Sequence, residues 1–376
     1  MHPAARLASG AVTLVVGLLL LTGCGGDQAS GPGALALVVG AHANMVEPSM
    51  VDAVQAEIET AAELGSTTTV IVADGTPTAS RSLSLEAENP LYQQDRIAQL
   101  GTMVREARAD SPEVDLLGAI GLAARAVTDA AGPKTLVVID SGLQTTGALR
   151  FQDRDGALFD ADPAEVSDHL ARTGQLPDLR GMRVVFVGLG DTAPPQQSLP
   201  QLRRAALLDL WRGIVEKAGA EVEIREAPLP DTRELDGLPP VTTVPVAVDV
   251  AGPAEQITVL RNSTVGFLPD QAVFRDPDQA RAVVDEIAAA IKNGQRAVLT
   301  GTTAKAGTPE GRAELSLQRA NAVADLLVGL GAPAERIETR GVGSDFPGYV
   351  PDHDAQGNLD PIRAAQNRQV IVELFD

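Results

Sequence analysis

Four short runs dominated by apolar and β-branched residues constrain the fold of the first part of this chain. They are Ala34 to Val39 (ALALVV), Thr67 to Val72 (TTTVIV), Thr135 to Ile139 (TLVVI) and Arg183 to Val187 (RVVFV). Each is too short for an ordinary helix and too continuous for a strand with one wet face. Each therefore reads as a strand covered on both sides, as in a parallel sheet. Helical spacing fills the gaps. Met50, Val51, Val54, Ile58 and Ala61 share one side of a helix over Met50 to Ala62, with Gly65 as its stop. Leu116, Leu117, Ile120, Ala124 and Val127 do the same over Leu116 to Ala130, and Leu91 to Ala109 and Leu202 to Ala218 are helical too. Ala79 to Leu85 alternates serine with apolar residues and reads as an exposed strand, and Glu221 to Arg225 as a last strand. Strands and helices alternate, so the fold class expected for 34–230 is α/β with a doubly wound, mostly parallel sheet.

Composition narrows the function. A formal charge of −20 over 376 residues argues against nucleic acid and against electrostatic binding to anionic lipid. The single cysteine, Cys24, allows neither an intramolecular disulfide nor a thiolate metal cluster. His2, His42, His169 and His353 are scattered, with no close metal-ligand pair, and no metal or cofactor is expected. No nucleophile is set up: Ser141 follows Asp140 in D-S-G and not in a G-x-S-x-G elbow. Gly188 and Gly190 form a lone G-x-G, a weak nucleotide signal. Phe151 to Pro177 reads as an acidic loop at the sheet rim; Asp153, Asp155, Asp160 and Asp162 lack EF-hand spacing, which favours a solvated loop over a Ca²⁺ site. A non-enzymatic protein is expected.

The first residues carry an address. Arg6 precedes a short apolar run, Ala11 to Leu21, which ends in Leu21-Thr22-Gly23-Cys24. A run this short is a secretory signal and not a membrane span. The L-T-G-C stretch resembles the lipobox of bacterial lipoproteins. That resemblance implies a signal peptide over 1–23, acyl chains such as palmitate on Cys24, and a membrane-anchored protein on the extracytoplasmic face (the outer membrane if there are two). Residues 24–33 then form a flexible tether.

Leu299 to Val323 carries the sharpest signal in the second part. An apolar strand (Ala297, Val298, Leu299) runs into a Gly/Thr loop and then a helix opening at Leu315-Ser316-Leu317-Gln318-Arg319-Ala320. Val323, Leu326, Leu327 and Leu330 continue its core-facing stripe. Arg319 falls beside that stripe and in the first turn, where the helix dipole disfavours a cation, so its guanidinium is expected to face an anion. Asp276 and Pro277 open an earlier helix, with Ala280, Val283, Val284, Ile287, Ala288 and Ile291 on one face.

This region, roughly Ile257 to Asp376, resembles the OmpA-like domain, a family that binds peptidoglycan. Gly301, Thr303 and Gly307 match the family's G-H-T-D-x-x-G, and Leu315, Ser316, Arg319 and Ala320 match its L-S-x-x-R-A. Gly341 with Gly343 and Asn367 with Arg368 match its later G-x-G and N-R. The resemblance implies a β-α-β-α-β-α-β domain and a peptidoglycan site formed by Thr303, Arg319, Asn367 and Arg368, with Arg319 taking a stem-peptide carboxylate. Thr302, Ala304 and Arg312 depart from the family's His, Asp and Asn. The family Asp meets the ammonium of the stem diamino acid; here Glu310, Glu314 or Asp345 is left to do so.

The order of elements over 34–230 resembles a von Willebrand factor A domain. The family's metal motif D-x-S-x-S reads Gly40-Ala41-His42-Ala43-Asn44 here, and Asp140 alone fits its later Asp. Asp140 with Asn44 is a thin ligand set for a hard cation. Residues 231–256, rich in proline, form a stiff linker between 34–230 and 257–376. Two functions are expected from the whole. One is an envelope lipoprotein whose C-terminal domain associates with peptidoglycan. The alternative is a scaffold that binds an envelope protein through its A-like domain, with peptidoglycan binding lost.

Overall fold

The computed structural model describes residues 31–226, 229, 236–246, 257–268 and 270–376. The signal segment, Cys24, most of the tether and part of the linker lie outside the described residues. Among the described residues no helix is long and apolar enough to cross a membrane.

The N-terminal body runs β1 (Ala34–Val39), α1 (Asp52–Glu63), β2 (Thr67–Val72), β3 (Thr78–Ala79), β4 (Leu83–Ser84), α2 (Pro90–Glu106), α3 (Leu116–Val127), β5 (Lys134–Ile139), α4 (Pro163–Arg172), β6 (Arg183–Val187), α5 (Gln201–Lys217) and β7 (Glu221–Arg225). The sheet order is β3-β2-β1-β5-β6-β7, with β4 also on β2. β1, β2, β5, β6 and β7 are parallel. The short β3 and β4 run antiparallel at the edge. The apolar runs are continuous because both faces are covered. Ala36, Val38, Leu136, Val138, Val184 and Phe186 point to a core closed by α3 and α5, with Trp211 at its centre. Their neighbours Leu35, Leu37, Val39, Val137, Ile139 and Val185 point to a second core under α1 and α2. The period of two along each strand thus feeds two cores in turn.

The C-terminal domain runs β8 (Ile257–Arg261), α6 (Asn262–Val265), α7 (Pro277–Lys292), β9 (Arg296–Gly301), α8 (Pro309–Gly329), β10 (Ile337–Gly341), α9 (Pro361–Gln366) and β11 (Gln369–Phe375). Its sheet has the order β10-β9-β11-β8. β9 and β10 are parallel, and β11 is antiparallel to both its neighbours. Val284, Ile287 and Ile291 of α7 and Ala320, Val323 and Leu327 of α8 close one face of it. Asp276 caps α7 by accepting from the backbone of Asp278 and Gln279.

The structure corrects several expectations. The stretch 79–85 forms two separate two-residue pairings, since Ser80 and Ser82 bond to β2 through their hydroxyls between them. The stretch 151–177 is no solvated loop. It forms 3-10 turns over Asp153–Asp160 and then α4, and Leu158, Phe159, Val166 and Leu170 enter the core. α8 starts at Pro309, capped by the Thr308 hydroxyl, so Arg319 lies mid-helix and the first-turn dipole does not act on it. The linker is held where it is described: Val244 and Val246 are buried, and Gln196 bonds the backbone of Val244 in both directions.

α8 sits against the end of β9 because residue 301 has no side chain: a Cβ there would lie 1.8 Å from the Ser316 carbonyl oxygen. We expect Gly301→Ala to lower stability by about 1–3 kcal/mol, the cost of overpacking, in urea unfolding of the full chain. An unchanged midpoint would mean that α8 is not seated in this way.

Candidate functional site

The L-S-x-x-R-A residues divide between seating the helix and facing a cavity. Ser316 is fully buried, and its hydroxyl accepts from the Gly343 backbone N–H at 3.0 Å, which ties α8 to the turn after β10. Ala320 is also fully buried, in the helix–sheet contact. Arg319, one residue earlier, is left on the flank that looks toward α6 and the following loop.

Arg319 is only 6% exposed. Its Nε donates to the Gln271 carbonyl at 3.0 Å, and its guanidinium lies 5.4 Å from the Phe267 ring centre. Phe267 is itself stacked on Phe274 at 4.7 Å. Burial, with the Arg368 charge adding to it, pulls the Arg319 pKa down to about 10, against the opposing pull of Asp270 and Asp162. Arg368 belongs to the same site. Burial acts to lower its pKa, but Glu165 outweighs this and raises it, with Asp162 and Asp270 behind. The Arg368–Glu165 pair is bidentate, at 2.8 and 2.5 Å. The two arginines share a cavity of about 20 Å³ with Asp160, Asp162, Phe267 and Asp270. That is room for one water. Two guanidiniums converging on one space select for an anion with paired oxygens.

The other two expected site residues lie elsewhere. Thr303 is buried, its N–H on the Gly343 carbonyl and its hydroxyl without a partner among the described residues. Asn367 is fully buried; its amide bonds both backbone groups of Val350 and the Asp352 carboxylate. It anchors the 345–360 loop and has no surface to offer a ligand. Glu310, Glu314 and Asp345 are exposed and do not line the cavity. The acids that face Arg319 are Asp162 and Asp270.

Residues 267–356 match the model of the OmpA family. The C-terminal domain is OmpA-like. Three solved structures illustrate the likeness. The peptidoglycan-associated lipoprotein from Burkholderia pseudomallei is 25% identical over 34% of this chain and 97% of that one, with a TM-score of 0.26. The cell wall anchor of the T6SS from Pseudomonas aeruginosa is 24% identical over 32% of this chain and 80% of that one, at 0.26. The periplasmic domain of Helicobacter pylori MotB is 18% identical over 31% of this chain and 80% of that one, at 0.26. No curated protein matches the chain.

Within the OmpA-like domain, the β9–α8 loop is held by a buried acid that the sequence did not single out. Asp352 accepts from the Lys305 backbone N–H at 2.8 Å, from Asn367, from the Tyr349 hydroxyl and from His353. Burial would raise its pKa, but these donors together hold it below the usual carboxylate range. Ala304 is buried beside this anchor and brings no carboxylate of its own. Glu165 was missed as well. The start of its helix had a signal: Asp162-Pro163 repeats the Asp276-Pro277 start of α7, and Asp162 caps α4 by accepting from Ala164 and Glu165.

The second candidate centre is at the C-terminal ends of the paired strands β1 and β5, whose following connections lead to opposite edges of the sheet, the usual place for a ligand in an open α/β sheet. Here protein fills it. A Cβ on Gly40 would lie 2.1 Å from an Asp140 oxygen, so no side chain fits at that position. Asp140 instead meets His42, 3.2 Å away and buried. The His42 Nδ1 faces the Ala43 carbonyl at 2.6 Å and its Nε2 faces the carboxylate. A carbonyl accepts at one ring nitrogen and a carboxylate at the other, an arrangement that favours the doubly protonated ring. Burial opposes that charge, but Asp140, the Ala43 carbonyl and Asp74 raise the pKa above 6.5. Asn44 Nδ2 holds the Val241 carbonyl at 3.0 Å, and its buried Oδ1 has no partner among the described residues. Among the described residues no three His, Cys, Asp or Glu side chains cluster as a metal site.

The sign of the His42 linkage is fixed. A raised folded pKa gives stability that is full below the unfolded value, near 6.5, and is lost as pH rises through the folded value. We expect His42→Gln to cost about 3 kcal/mol near pH 6, as for breaking a buried pair, and less as pH rises toward 9. Denaturant unfolding of both proteins across that range checks this; parallel pH profiles would mean that the ring is not protonated.

Proposed function

We propose that this chain is a cell-envelope protein whose OmpA-like domain associates non-covalently with peptidoglycan, with Arg319 as the receiver of a stem-peptide carboxylate. The observation that carries the reading is the convergence of Arg319 and Arg368 on one buried cavity inside a domain of this family. A guanidinium held out of water and matched mainly by a carbonyl and a ring face has donor capacity directed at something. Arg368 gives the second fork. Asp270, from the same domain, takes the place of Glu310, Glu314 and Asp345 as the acid for the ligand's ammonium. Attachment through acyl chains on Cys24, on the extracytoplasmic face, completes the proposed placement and rests on the lipobox alone.

A second reading has one observation in its favour. Ala304 leaves the β9 loop without the carboxylate that the family uses. On that reading the OmpA-like fold is a scaffold, and the A-like N-terminal body recruits an envelope protein.

The two readings part in a sacculus co-sedimentation assay with the purified full chain. We expect Arg319→Ala to pellet about tenfold less than the unaltered chain, the loss of one charge-assisted contact. Equal pelleting would remove Arg319 from the site. Stability gives a separate check. If Arg319 is retained for a ligand, Arg319→Met should hold or raise the calorimetric Tm, because an apolar side chain avoids the cost of burying the charge. A loss of about 2 kcal/mol or more would mark it as a structural brace instead.

A further inference from the structure

The arginine cavity does not lie on a free face of the OmpA-like domain. The other half of the chain lines one side of it and narrows it. Pro163, at the start of α4, lines it beside Asp160, Ala161 and Asp162. Glu165, two residues further on, makes the bidentate pair with Arg368. Further contacts flank it: Arg275 pairs with Asp209 of α5, Arg154 donates to Gln366 at 3.1 Å, and Arg172 donates to the Leu359 carbonyl at 3.3 Å. Ala365 of α9 is buried in the N-terminal core, and Ile362 packs against it. A cavity of about 20 Å³ admits no peptide in this arrangement.

The chemistry of the closure matters more than its tightness. Each guanidinium that faces the cavity raises the cost of the other, since the Arg368 charge lowers the Arg319 pKa. They need anions. Asp270 comes from their own domain, whereas Asp162 and Glu165 come from the N-terminal body. A carboxylate held bidentate by Arg368, with a second beside it, is what a stem peptide would present to the same two forks. We propose that the first turn of α4 is an internal mimic of the anionic ligand, and that the N-terminal body keeps the OmpA-like site shut until the two halves part. The inference rests on the peptidoglycan reading of the arginine site. The apparent affinity of the full chain is then the intrinsic affinity scaled by the open fraction.

The test uses the purified full chain unaltered, as Glu165→Lys, and as Glu165→Lys with Arg319→Ala. Glu165→Lys sets a cation against Arg368 and should part the halves. Two readouts are needed: pelleting with sacculi, and amide hydrogen exchange over α4 and α9 without sacculi. We expect Glu165→Lys to exchange faster at both helices and to pellet about tenfold more, with Arg319→Ala cancelling that gain. Glu165→Gln, close in size and without charge, should move both readouts the same way by less. Faster exchange with unchanged, Arg319-dependent pelleting would overturn the mimic and leave the peptidoglycan reading standing. Faster exchange with no pelleting in any form would remove both. Unchanged exchange in Glu165→Lys would overturn the mimic directly, because the ion pair would not be what holds the halves together.

Discussion

Taking a cation out of water is costly unless anions, dipoles or a π face replace the lost hydration. Much of this chain is arranged around that constraint. Arg368 is matched by a two-point carboxylate from another sheet's helix. Arg319 is matched by a carbonyl and an aromatic face, with carboxylates only at longer range. His42 is matched by a carboxylate on one nitrogen and a carbonyl on the other. The first match joins the two halves of the molecule, the second leaves unused donor capacity, and the third closes a crevice. Function, on the proposed reading, is concentrated where the match is least complete.

Strands were legible because their physics is local. ALALVV and the LVVI of β5 are apolar at every position, and the sheet places alternate residues in one of two cores. Helix boundaries were less legible where two signals competed. The apolar stripe of α8 begins near Leu315, yet Thr308 and Pro309 form an ordinary cap and first turn upstream, over residues with no core face. α4 was lost for a related reason: its acidic residues suggested solvent, while Val166 and Leu170, one helical turn apart, already marked a buried side.

The site was legible in part. Arg319 and Arg368 could be picked from the L-S-x-x-R-A and N-R spacing, and the structure places them on one cavity. Asn367, chosen with them, proves to be an internal brace, since spacing alone cannot separate a residue that faces a ligand from one that holds the loop beside it. The contribution of Glu165 could not be read from spacing. It is 203 positions from Arg368, and only the packing of one half on the other brings them together. The His42–Asp140 pair, 98 positions apart, is hidden for the same reason.

Ala304 and α4 are best considered together. The family resemblance implies a carboxylate on the β9 loop, where this chain has Ala304, which does not line the arginine cavity. With alanine there, Asp270 is the domain's own contribution to the charge acting on Arg319, and the cavity remains short of anions. The N-terminal body makes up the difference with Asp162 and Glu165, both in the cap and first turn of α4. Carboxylates at that end of a helix are favoured by its dipole, so α4 is stabilised by the same groups that face the arginines. A cavity with two buried arginines and one acid of its own, and an acidic helix start facing it, are each incomplete. Joined, they make a closed protein, and the same incompleteness would let an outside carboxylate compete for the arginines.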